Sequence, residues 1–212
     1  MTPMQAEQAK KPALTTAFER LGTPMAFAKN QEVYAQDDDA ERFYRLVSGV
    51  VRTSRVTADG RRQVGDFYYP GDVFGLDPGP LHRFAAEALT DCDVQIVRRS
   101  AVRAFAGDVE VDRAILDATR QEMERLQDHV VLLGRKGAIE RVASFLIGLA
   151  QRREGGPVDL PMGRQDMADY LGLTIETVSR TLTQLQGDAV VKFASTRRFQ
   201  VSDWGELEAL AA

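Results

Sequence analysis

The residues of this chain best suited to chemistry are Glu176, Thr177, Ser179, Arg180 and Thr183. At helical spacing they fall on the outward face of one segment, while Val178, Leu182 and Leu185 fall on the inward face. Short hydroxyls with one carboxylate and one guanidinium suit the edges of base pairs in a major groove. Arginine donates bidentately to guanine O6 and N7, and glutamate accepts from cytosine N4. Glu176 and Arg180 also stand at the i,i+4 spacing of an ordinary surface ion pair, so taken alone the face leaves both readings open.

The surrounding sequence favours the first reading. A short helix is expected over 164–171 with Met167, Ala168 and Leu171 inward, and Gly172 interrupts it. Thr174 then offers a side-chain oxygen to the free amides of a second helix over 175–186. Two short helices around a glycine turn are the pattern of a helix-turn-helix, with small Ala168 and Gly172 permitting a close crossing. Beyond it, 190–193 and 198–201 read as two strands around a polar, basic tip, which makes a wing. Lys192, Arg197 and Arg198 are its candidate phosphate contacts.

Three further parts must carry this element. Short runs rich in Val, Phe and Tyr at 43–47, 50–56, 63–69, 85–89 and 93–98 are separated by turn residues such as Asp59-Gly60 and Pro70-Gly71, as in an all-β sandwich or barrel. From 111 to 137 the period changes: Leu116, Thr119, Met123, Leu126, Val130 and Leu133 recur by threes and fours, a coiled-coil seam that predicts a homodimer. The competing account is an amphipathic helix packed on its own domain; a narrow stripe on a long helix favours one partner helix. A second helix is expected over 138–153, with Ile139, Val142, Phe145, Leu146 and Leu149 buried. The division is therefore a flexible arm at 1–12, a β-domain at 13–110, a dimerisation helix at 111–137 and a DNA-binding domain at 138–212.

Composition narrows the remaining classes. The chain has 212 residues, 44% hydrophobic and 27% charged, with a net charge of −4, which is ordinary for a globular protein and unlike a basic DNA-coating one. No apolar run is long enough to span a bilayer and no signal-peptide core is evident, so a cytoplasmic protein with no membrane partner is expected. The single cysteine, Cys92, excludes a disulfide within the chain and a cysteine-only cluster; it reads as a small buried hydrophobe, and flanking Asp91 and Asp93 disfavour a reactive thiolate. His82 and His129 lie far apart with no carboxylate or thiol at ligand spacing, so no metal, no cofactor and no β-roll metalloenzyme is expected.

The stretch 164–180, and LTIETVSR at 173–180 within it, closely resembles the helix-turn-helix of the CRP/FNR superfamily, above all its FNR and FixK branches. The likeness extends from about Ala17 through the turns Ser48-Gly49 and 70–75, the long helix and the wing. It implies an α+β fold: an N-terminal cyclic-nucleotide-binding-like β-roll (a double-stranded β-helix), a long dimerisation helix and a C-terminal winged helix-turn-helix. It also implies that Glu176, Ser179 and Arg180 read the bases of a TTGA-type half-site. Arg164, Gln165, Thr174 and Thr177 would hold the DNA backbone, and the homodimer would bind a palindromic promoter site and meet RNA polymerase. Departures from the family bear on sensing. The cysteines of an oxygen-sensing cluster are missing. Gly75-Leu76-Asp77-Pro78-Gly79 lacks the ribose-binding glutamate of the cyclic-AMP receptor, and His82-Arg83-Phe84-Ala85 disrupts its Arg-Ser pair, leaving only Arg83 as a phosphate candidate. No haem ligand pair is evident. This combination resembles FixK proteins, activators that need no obligatory effector and serve microaerobic or anaerobic respiration or nitrogen fixation. A sensor with an unrecognised β-roll ligand is the alternative.

Overall fold

The computed structural model describes residues 13–153 and 155–212. The expected arm at 1–12 lies outside the described residues.

The chain opens with helix α1 (Ala13–Leu21) and then builds eight strands: β1 (Thr23–Phe27), β2 (Glu32–Tyr34), β3 (Arg42–Ser48), β4 (Val51–Val56), β5 (Arg62–Tyr68), β6 (Val73–Phe74), β7 (Ala85–Ala88) and β8 (Cys92–Arg98). They form two antiparallel sheets, ordered β1-β8-β3-β6 and β2-β7-β4-β5. Alternation sends Tyr44, Leu46 and Val94 of one sheet and Val51, Tyr68 and Ala86 of the other into a shared core. The turn at Asp59-Gly60 joins β4 to β5, with Gly60 at φ 79°. Pro70-Gly71 turns the chain with Gly71 at φ 97°, where a side chain would be strained.

An aromatic stack fills this interior. Tyr34 lies on His82 with ring centroids 3.7 Å apart, and Phe74 sits 5.2 Å from both Tyr44 and Tyr68. His82 is fully buried, and its Nδ1 meets Asp77 Oδ2 at 2.8 Å. Sequence spacing marks no carboxylate for His82, yet an irregular loop, not helical or strand spacing, folds Asp77 back onto the ring. The second oxygen of Asp77 accepts from the Arg83 amide at 3.2 Å. Cys92 is buried, its Sγ donating to the Val50 and Thr90 carbonyls at 3.3 and 3.1 Å, and burial pushes the thiol above its usual pKa.

Helix α2 (Arg99–Ala106) closes the β-domain, and Gly107 at φ 81° redirects the chain into α3 (Asp108–Arg135). The long helix thus runs from Asp108 rather than from 111, because the break falls at Gly107. It stops at Arg135 rather than 137, because Gly137 is the N-cap of α4 (Ala138–Gln151). Strand β9 (Val158–Asp159), helices α5 (Arg164–Leu171) and α6 (Ile175–Gly187), strands β10 (Val191–Ser195) and β11 (Arg198–Val201) and helix α7 (Trp204–Ala211) complete the chain. A second core holds Val142, Leu146, Met167, Leu171, Val178, Leu182, Leu185, Phe199 and Leu207 together. The whole is an α+β fold: β-roll, long helix and winged helix-turn-helix.

Candidate nucleic-acid interface

Local sequence explains both helices of the reading element. Gly163 begins α5, and Asp166 caps it by accepting from the Gly163 amide at 3.1 Å. Gly172 ends it in the left-handed region at φ 61°, donating to the Ala168 carbonyl. A Cβ there would come within 3.4 Å of Leu133 Cδ2 as well as bearing an unfavourable φ. Thr174 caps α6, accepting from the Thr177 amide at 3.2 Å. Val178, Leu182 and Leu185 are buried, so the helix has one rotational setting. Glu176 and Arg180 are exposed and Ser179 is half-buried beside them. Among the described residues no ion pair joins Glu176 to Arg180, which leaves both charged heads toward solvent. Thr183 turns its hydroxyl back to the Ser179 carbonyl at 2.9 Å.

Around this face stand the expected backbone contacts. Gln165 is exposed and donates to Asp169 Oδ1 at 2.7 Å; Arg164 is half-buried, with one buried guanidinium nitrogen that has no protein partner. Thr174 and Thr177 bring their hydroxyls within 3.1 Å of each other at the start of α6. The wing is β10 and β11, with Thr196-Arg197 at its tip and β9 pairing alongside. Its cations differ in availability. Arg198 is held by Asp159 through Nε and Nη2, both at 2.7 Å. Arg197 donates to the Pro161 carbonyl. Lys192 is exposed and has no ion pair among the described residues.

The seam residues of α3 lie at the surface of the single chain. Leu116 and Val130 are each 68% exposed, Met123 57% and Leu126 51%, while Thr119 and Leu133 are half-buried. Thr119 returns its hydroxyl to the Ile115 carbonyl at 2.8 Å. Leu133 also lies against the turn of its own helix-turn-helix at Gly172.

Sequence reasoning missed the residues that fasten the reading element to the rest of the chain. Arg52 Nη1 and Arg62 Nη2 meet Asp166 Oδ1 at 2.5 and 2.7 Å. Arg62 Nε meets Asp169 Oδ2 at 2.8 Å. Arg141 donates to the carbonyls of Leu133, Lys136 and Leu171 at 2.7, 2.8 and 2.9 Å, and so satisfies open carbonyls at the ends of α3 and α5. These partners are distant in sequence, so no local pattern announces them.

An exposed polar face on a rigid second helix, a wing beside it and a long helix behind it define a DNA-binding transcription regulator with a β-roll. The profile of the Crp-like helix-turn-helix domain matches residues 140–210, and that of the cyclic nucleotide-binding domain matches residues 24–108. The nitrogen fixation regulation protein FixK of Azorhizobium caulinodans is 46% identical, over 97% of this chain and 85% of its own length. Its namesake in Rhizobium meliloti is 40% identical over 82% of this chain and 81% of its own length. The structure of FixK2 from Bradyrhizobium japonicum superimposes with a TM-score of 0.86 at 45% identity, covering 90% of this chain and 98% of that one. The chain belongs to the CRP/FNR family, in its FixK branch. It is a regulator of transcription and not an enzyme. No helix among the described residues is long and apolar enough to cross a membrane.

Proposed function

We propose that the chain acts in the cytoplasm as a homodimer, binds a palindromic TTGA-type box and recruits RNA polymerase to activate genes. Those genes serve microaerobic or anaerobic respiration or nitrogen fixation, as the names of the FixK relatives suggest. Glu176, Ser179 and Arg180 read the half-site. Arg164, Gln165, Thr174, Thr177, Lys192, Arg197 and Arg198 grip the backbone, which fixes register without reading sequence. Two copies of α3 pair along Leu116, Thr119, Met123, Leu126, Val130 and Leu133, which sets the two α6 helices about 34 Å apart in successive major grooves. The β-roll serves as scaffold, and residues 138–212 form the DNA-binding part.

One observation carries this reading: an unpaired Glu176/Arg180 face shares the chain with an exposed apolar stripe on α3. Effector independence is supported by the filled β-roll, where His82 and Tyr34 stack at 3.7 Å inside the space between the sheets. Selection from a random DNA pool with untreated protein tests the proposal. Two inverted TTGA-type half-sites should be enriched without any additive. Enrichment that appears only with an added small molecule would establish the ligand-gated alternative instead.

A further inference from the structure

Helix α5 presents its N-terminal, outward residues to the proposed DNA side; its inner face carries two carboxylates, Asp166 and Asp169, that point at the β4–β5 hairpin. Arg52 is nearly buried, its side chain 6% exposed, and it lies between Asp166 at 2.5 Å and Glu87 at 2.7 Å. Arg62 spans Asp166 and Asp169, at 2.7 Å from each through Nη2. Gln63 Nε2 adds a bond to the Asp169 carbonyl at 3.1 Å. The same two carboxylates serve the DNA side of α5. Asp166 caps its first turn through Gly163, and Asp169 holds Gln165 at 2.7 Å. The network therefore runs without a gap from the β-roll to the N-terminus of the reading element.

Charges this close in a partly desolvated interface lose to desolvation much of what they return in attraction, so their main effect is on geometry. An apolar contact tolerates sliding, whereas a guanidinium shared by two carboxylates does not. We propose that Arg52 and Arg62 are positioning residues for DNA recognition: they fix the orientation of the helix-turn-helix on the β-roll, and through it the spacing of half-sites that a dimer accepts. This rests on the dimeric DNA-binding reading above. A dimer whose two reading elements are free to swivel would bind each half-site normally and lose its preference for one spacing.

The test uses the full-length protein with Arg62→Gln, and Arg52→Gln beside it. Arg62 is part-exposed, so its truncation leaves the fold intact even where the buried Arg52 variant fails to fold. Parent and variants carry Glu208→Cys on the exposed side of α7, away from the reading face, for a spin label, Cys92 being buried. In the parent the label-to-label distance should form one narrow peak, and in Arg62→Gln a broad one. Affinity for the palindrome at its selected spacing should fall on the order of tenfold. Affinity for a single half-site should not change, and spacers one base pair longer or shorter should bind nearly as well. Arg62→Lys, which keeps the charge but not the fork, should lie between. An unchanged distance distribution overturns the proposal, as does an equal loss on single and paired half-sites, which marks a purely structural role. A parent protein that fails to distinguish the palindrome from scrambled DNA overturns the DNA-reading assignment instead, and the label distances still decide whether the arginines orient the domain.

Discussion

His129 of α3 lies flat on Tyr170 of α5, ring centroids 4.2 Å apart and planes 20° from parallel, with its Nε2 2.8 Å from the Tyr170 carbonyl oxygen. In the neutral ring Nε2–H donates to that carbonyl. The pair joins the long helix to the first helix of the reading element one turn beyond Asp166, where the Tyr170 ring also packs on Phe67 of β5. Burial holds the His129 pKa below that of a free imidazole, with the Tyr170 carbonyl opposing the shift in part. A histidine with a depressed folded pKa contributes stability that is fully present above the unfolded value and is lost as pH falls below about 6.5. The His129 contribution should therefore be lost between pH 7 and pH 5, so the wild type should lose more melting temperature, or gain less, over that range than His129→Gln does. An unaltered slope in the variant would remove His129 as the group responsible.

Asp66 should act in the opposite sense at nearly the same pH. Burial raises its carboxyl to about 6, against the hydrogen bond from the Phe67 amide and the guanidinium of Arg125 at 3.6 Å. The folded state takes up this proton before the unfolded chain does. Ionised Asp66 therefore costs stability above pH 6, and the cost disappears as pH falls toward 4. Asp66→Asn should stabilise the protein at pH 8 by on the order of 2 kcal/mol and have little effect at pH 4. Equal stability of variant and wild type in urea titrations at pH 8 would refute the penalty.

The apolar stripe of α3 predicts a concentration-dependent assembly. Leu126 is 51% exposed and Val130 68% in the single chain. Replacing Leu126 by Glu would place a charge in the middle of the proposed seam, where it would have no partner. Leu126→Glu should sediment as a monomer at micromolar concentration and lose at least roughly 100-fold in affinity for the palindrome, since the second half-site contact is no longer intramolecular. A variant that remains dimeric in sedimentation would assign the stripe to packing within one chain.

The helix-turn-helix was readable because its signals are local. Gly172 breaks α5, Thr174 starts α6, and Val178, Leu182 and Leu185 repeat at helical spacing in one continuous stretch. Strand β1 had no such signal: it contains Pro24, and only Phe27 of its five residues is buried, so neither propensity nor alternation marks it. Strand β6 has two residues and exists only because β3 pairs with it. Helix α7 forms at the C-terminal end of the chain with Asp203 as its cap, and it is held by burial of Leu207 against the second core. The exposed apolar stripe of α3 and the polar outer face of α6 were legible as patterns. Arg52, Arg62, His129 and Arg141 were not, because their roles depend on partners that only the fold brings near.

Base reading and backbone grip separate in the last prediction. Arg180 stands exposed on α6 with no ion pair to Glu176, so its guanidinium is available to a base edge. Arg180→Ala should relax discrimination at one base pair of each half-site by about 1–3 kcal/mol, and should leave binding to scrambled DNA nearly unchanged. Lys192, on the wing, should behave differently. If its ammonium meets a phosphate as proposed, a group every sequence presents, Lys192→Ala should weaken specific and scrambled DNA alike. It should also reduce the slope of log affinity against log salt by about 1 per site. Arg198 provides the internal contrast, since Asp159 holds its guanidinium at 2.7 Å. Arg198→Ala should change the salt slope less than Lys192→Ala does, because its charge is already neutralised in the free protein. Equal slopes for the two variants would show that the Asp159 pair opens on binding, and a sequence-independent loss in Arg180→Ala would place that arginine on the backbone.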